Sequence, residues 1–223
     1  MVADERSWER GLAIALGVFA VSLLYAFIRY NILRDVPFSD IPLYIFNKAL
    51  ALGATVVIGF SFLLGPLAAL WPRWFSPHLP LRKALGIIGF GGAAVHAVIS
   101  LILLSPAYYS RWFTESGSLN AIGQFSLLFG VLALAVFAVV AVSSMPLMFE
   151  RLGEARWRKM QRLGYGAYAL TLLHVVAMGA RGWANPESYA YGFISISLLS
   201  ALIIFFVFAM RAVAYACGCK NCD

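Results

Sequence analysis

The chain has 223 residues, of which 62% are hydrophobic and 12% charged. A soluble globular domain is nearer half apolar and a quarter charged, so the composition excludes an ordinary water-soluble fold. The net charge of +7 lies in short clusters between apolar runs, with no motif that reads bases; this excludes a nucleic-acid partner and makes the charge a signal of topology in a lipid bilayer.

A helix needs roughly 20 mostly apolar residues to cross about 30 Å of hydrocarbon, and six stretches qualify. The first, about 11–29, is full length and lacks a small-residue cleavage site, so it reads as a span rather than a removable signal. The second, 43–70, is long enough to tilt or to begin in the interface, with Asn47 and Lys48 near its start. A connection at 71–83 follows, punctuated by Pro72, Pro77 and Pro80 and carrying Trp71, Trp74 and the solvated or interfacial His78. The third span, 84–104, contains His96, and its exit loop 105–120 holds Pro106, Tyr108, Tyr109, Arg111 and Trp112. The fourth span is 121–143, and a basic connection at 144–162 leads to the fifth, 163–180, with His174 in its middle. Arg181, Trp183 and Tyr189 lie just beyond it, before the sixth span at 191–213. Aromatic rings at span ends fit the headgroup level.

With the N-terminus inside, the inner segments hold twelve Lys and Arg residues; the outer ones hold five, Arg29, Arg34, Lys48, Arg111 and Arg181. The sequence thus predicts an all-α integral membrane protein, a six-transmembrane-helix bundle over 1–216 with both termini cytoplasmic. A cytoplasmic tail at 217–223 carries Cys217, Cys219 and Cys222. Three thiols facing a reducing compartment read as a mobile tail, or as part of a soft-metal site that lacks a fourth ligand.

His96 and His174 are polar residues at membrane depth, which are costly and mark functional sites. They follow Lys83 and Arg162 by 13 and 12 residues, which puts both rings about 20 Å from the cytoplasmic edge at a rise of roughly 1.5 Å per residue. Two parallel helices therefore carry imidazoles at one height, past the midplane toward the outer face. Gly89, Gly92 and Ala93 share the face of His96, and Ala167 and Thr171 share that of His174, with Leu170 as the bulky exception. Such faces suit a slot for a flat macrocycle clasped by two imidazoles, since histidine is a common axial ligand of haem iron. The alternative is close helix packing with each histidine hydrogen-bonded across an interface; that reading makes the protein a haem-free scaffold or transporter. The ten acidic residues all fall outside the six apolar stretches, which argues against an ion-coupled transporter, and no hydrolase constellation is present.

The stretch "LRKALGIIGFGGAAVH" (81–96) followed by "WRKMQRLGYGAYALTLLH" (157–174) resembles the ferric reductase-like transmembrane domain. Within that family it is similar to the haem-binding membrane subunit of bacterial methionine sulfoxide reductase systems. The shared features are six spans, a basic pair opening the third span before a histidine, and the Trp-x-x-x-x-Arg-Leu entry to the fifth. The resemblance covers roughly 40–210 and implies a b-type cytochrome of a bacterial inner membrane, with axial ligands at the positions of His96 and His174. Many relatives carry a further histidine where this chain has Gln161, and its third-span partner would fall near Arg82; one haem b, on the outer side, is therefore expected. Arg181, two turns beyond His174, and Arg111 in the preceding outer loop are candidates to meet its propionates. No flavin and nicotinamide domain follows the sixth span, and no Gly-rich phosphate fingerprint marks a flavin site, nor does any motif mark a quinone. The expected function is one-electron transfer by an oxidoreductase component, from a separate quinol or reductase to an outer-face acceptor.

Overall fold

The computed structural model describes residues 5–185, 187 and 189–218. Among these, six helices are long and apolar enough to cross a membrane: α1 (Glu5–Ile32), α2 (Phe38–Leu70), α3 (Leu81–Ile102), α4 (Ala121–Ser143), α5 (Pro146–Trp183) and α6 (Ile196–Ala216). Helices are the expected form, because a lipid-exposed backbone must satisfy its amides and carbonyls internally. The protein is an integral membrane protein, and the six-span reading stands.

The helix ends differ from the hydropathy reading, each for a local reason. Residues 144–162, expected as a connection, are largely helical. Apolar Leu147, Met148, Phe149 and Leu152 alternate there with charges, so mean hydropathy hides an amphipathic helix. Gly153 (φ 70°, ψ 162°) interrupts it, a left-handed conformation that glycine adopts without steric cost. The last span starts at Ile196 rather than 191, since Ala190–Phe193 forms a tight turn through Tyr191 (φ 47°) and Gly192 (φ 84°). Alpha-helical turns give way to π-helical ones at Ile28–Ile32 and Ile41–Ile45, on either side of the first connection. Because the helices outrun the apolar stretches, Glu5, Glu9, Asp40, Glu150 and Glu154 are helical residues near helix ends.

The bundle is built on α2. Within its most apolar window 61% of α2 is buried, against 11–28% for the other five helices. Helices α1, α3 and α6 lie against α2, α4 lies against α3 and α5, and α5 closes the ring on α6. Ile58 and Leu63 of α2, Phe137 of α4, Tyr168 and Val175 of α5 and Ile204 and Val207 of α6 form the central core. Tyr168 is fully buried and donates its hydroxyl to the Thr55 carbonyl at 2.9 Å. Gly59 makes room for it: a Cβ there would lie 2.8 Å from the phenolic oxygen. Ser61 Oγ donates to the Arg82 carbonyl at 2.8 Å, tying α2 to α3. Interhelical bonds of this kind average about 0.6 kcal/mol in membranes. Leu16, Val21, Leu24, Val98, Phe205 and Phe206 point outward and are exposed; in water they would form an aggregating surface, and in lipid they are solvated.

Candidate functional site

His96 stands on α3 and His174 on α5, the two helices that flank α4. Both imidazoles are half-buried. Each is held through Nδ1 by a third helix.

His174 Nδ1 lies 2.8 Å from the backbone carbonyl of Ser126 on α4 and 3.1 Å from its Oγ. A carbonyl only accepts, so Nδ1 carries the proton and donates. The Ser126 hydroxyl in turn donates to the His174 carbonyl at 3.2 Å. Side chains on a helix lean toward its N-terminus and cover the turn before them, so residue 130 would ordinarily screen the Ser126 carbonyl. It is Gly130, and a Cβ there would lie 3.0 Å from His174 Nδ1 and 3.3 Å from Cε1. The imidazole fills the notch that glycine leaves.

His96 Nδ1 is held by α2. It donates to Asn47 Oδ1 at 2.8 Å and faces the Asn47 carbonyl oxygen at 3.2 Å, with Ser100 Oγ at 3.5 Å. Asn47, only 2% exposed, is itself oriented by Nδ2, which donates to Ser100 Oγ at 2.8 Å and to Tyr109 Oη at 3.4 Å. The backbone carbonyl demands Nδ1–H on His96 whichever way the carboxamide is turned.

Neither Nε2 has a hydrogen-bond partner among the described residues. The arrangement therefore presents two imidazoles with Nδ1–H held from behind; in the neutral ring each offers an Nε2 lone pair. This is how a metal-ligating histidine is normally supported. Among the described residues no three His, Cys, Asp or Glu side chains converge, so a metal bound here would draw at most two ligands from these residue types.

The other sequence candidates fall elsewhere. Gly89 and Gly92, read as one wall of a slot, instead let α3 approach α2: a Cβ on Gly89 would meet Ile58 Cγ1 at 2.6 Å and one on Gly92 would meet Ala54 at 3.5 Å. Ala93 borders the central core. Arg111 and Arg181 are exposed near helix ends, and neither guanidinium has an ion pair or hydrogen bond among the described residues. Gln161 Nε2 ties α5 to the end of α4, reaching Ser143 Oγ and Ser144 Oγ at 3.0 Å each. Cys217 is exposed with a free thiol, while Cys219 and Cys222 lie outside the described residues.

Asn47, Ser126 and Gly130 were not singled out in the sequence as site residues. Nor was Lys48, which is half-buried beside Asn47 with its ammonium 4.7 Å from the Tyr30 ring centre and 4.3 Å from that of Tyr44. The only signal for Asn47 and Lys48 was polarity near the start of an apolar run.

A family model described as "Ferric reductase like transmembrane component" matches residues 50–172, more than half the chain. The chain belongs to the ferric reductase-like family. The matched segment includes His96 and ends two residues before His174. Among curated relatives, Metalloreductase STEAP2 of Mus musculus is 26% identical over 232 residues, which cover 88% of this chain and 47% of the relative. Metalloreductase STEAP3 of Rattus norvegicus is 28% identical over 211 residues, 78% of this chain and 42% of the relative. The protein-methionine-sulfoxide reductase heme-binding subunit MsrQ of Rhodospirillum rubrum is 31% identical over 152 residues, 65% of this chain and 68% of the relative. The chain spans about half the length of the metalloreductases it matches.

Proposed function

We propose that this ferric reductase-like protein is a membrane electron carrier in which His96 and His174 clasp one haem b. The observation that carries the reading is the pair of Nδ1 protons spent on Asn47 Oδ1 and the Ser126 carbonyl, which leaves both Nε2 atoms available. Haem supplies the chemistry when bound, a reversible one-electron reduction of its iron. The chain does the rest. Asn47 and Ser126 hold the rings and their tautomers, the six helices keep water out, and Arg181 and Arg111 are the candidate cations for propionates near the outer face. The heme-binding name of one relative supports the cofactor. Gln161 occupies the position where many family members keep a further histidine, which supports a single haem.

The distribution of twelve cations against five supports cytoplasmic termini, and the likeness to MsrQ supports a bacterial inner membrane. Electrons enter from a separate quinol or reductase. The relatives' names offer two acceptor classes, a metal ion and a partner methionine sulfoxide reductase.

Purified full-length protein is expected to be red, with a Soret band that sharpens and shifts on dithionite and one haem per chain by pyridine haemochrome. His96→Ala and His174→Ala should each bleach it. A colourless wild-type protein points to the haem-free scaffold, and two haems per chain refute the single-site reading.

A further inference from the structure

Lys48 is an ammonium within a membrane span, which carries a large desolvation cost unless something holds it. Its surroundings are aromatic. The rings of Tyr30 and Tyr44 lie 4.7 and 4.3 Å from Nζ. Among the described residues the one ion pair is Arg158 with Glu154, so no carboxylate neutralises Lys48. A further cation, Arg29, lies over the same Tyr30 ring at 5.5 Å and donates to the Phe193 carbonyl. Tyr109 receives a hydrogen bond from Asn47, the residue that holds His96. Lys48 directly follows Asn47 in the chain, and the Asn47 carboxamide oxygen accepts from His96 Nδ1 at 2.8 Å.

A fixed charge without a counter-ion in a low-dielectric medium acts over a longer range than one in water. Reducing a bis-imidazole haem from iron(III) to iron(II) adds one electron and lowers the charge of the centre by one. A cation held beside that centre stabilises the reduced form. Asn47 and Lys48 are consecutive on α2, so one helix turn sets both the ring that faces the metal and the charge that the metal feels.

We propose that Lys48, held between the rings of Tyr30 and Tyr44, is the residue that raises the reduction potential of the centre at His96. The inference rests on the proposed function and adds the electrostatic control of that site. Lys48 itself touches neither imidazole nitrogen, so its role is one of field and position.

The test is an equilibrium redox titration of the full-length protein in lipid nanodiscs, with dithionite and mediators, read at the Soret band. Lys48→Met should lower the midpoint by about tenfold in the reduction equilibrium, 59 mV for one electron. Lys48→Arg should keep the wild-type value to within about threefold, and the low-spin electron paramagnetic resonance signals of both variants should match wild type, reporting intact ligation. Lys48→Gln reads the same shift if the Met variant does not retain its fold. A haem-loaded Met or Gln variant with an unchanged midpoint overturns the role of Lys48 and leaves the functional reading standing. A wild-type protein without haem overturns both.

Discussion

The two halves of the site reach the same chemical end by different means. His174 is fixed by a backbone carbonyl exposed in a one-turn notch of α4, between Ser126 and Gly130. His96 is fixed mainly by a side chain, the Asn47 carboxamide, which is in turn set by Ser100 and Tyr109. A carbonyl that belongs to a helix cannot be deleted by substitution, whereas a carboxamide can. The α4–α5 half is therefore built into the backbone and the α2–α3 half is open to mutation.

That contrast is sharpest at Asn47. Asn47→Leu keeps the volume and removes the 2.8 Å acceptor, with the carbonyl at 3.2 Å as a weaker fallback. Loss of an outer-shell partner typically costs about 10–100-fold in metal affinity, so haem transfer to apomyoglobin should accelerate by at least about tenfold. A smaller effect is expected from Gly130→Ala, which crowds the His174 ring by placing a methyl 3.0 Å from Nδ1. A tight contact that a neighbour relieves by a small shift costs about 1 kcal/mol, or roughly fivefold in haem retention. Ser126→Ala should be mildest, within about threefold, because the bond to Nδ1 comes from its backbone. If Ser126→Ala matched Asn47→Leu in a haem-retention assay, the contrast between the halves would be gone.

The six spans were legible because each is an apolar run of bilayer length, and the histidines because nothing polar surrounds them in sequence. Their supports were not. Asn47 and His96 are 49 residues apart, Ser126 and His174 are 48 apart, and no periodicity connects them. A hydroxyl in a membrane helix commonly turns back to its own carbonyl four residues earlier, as Thr55 does to Ala51 and Thr171 to Ala167. Nothing in the sequence separates those residues from Ser126, which bonds across to another helix. The glycines of α3 misled for a related reason. A small residue permits a close approach without saying to what, and here Gly89 admits Ile58 of α2 rather than a ligand. The helix starting at Pro146 was missed because charge averaged against apolar residues lowers hydropathy without disturbing helical spacing.

The Ser126–Gly130 notch also works as an index mark between two rods. Sliding α5 by one residue would move the ring about 1.5 Å along the axis, off the open carbonyl and toward neighbours that carry full side chains. The pair thus has one register, and the height of His174 is measured from α4 rather than from the lipid. In a thinner or thicker bilayer the two helices must lean together, so the imidazole keeps its place within the protein while its distance to the membrane surface changes.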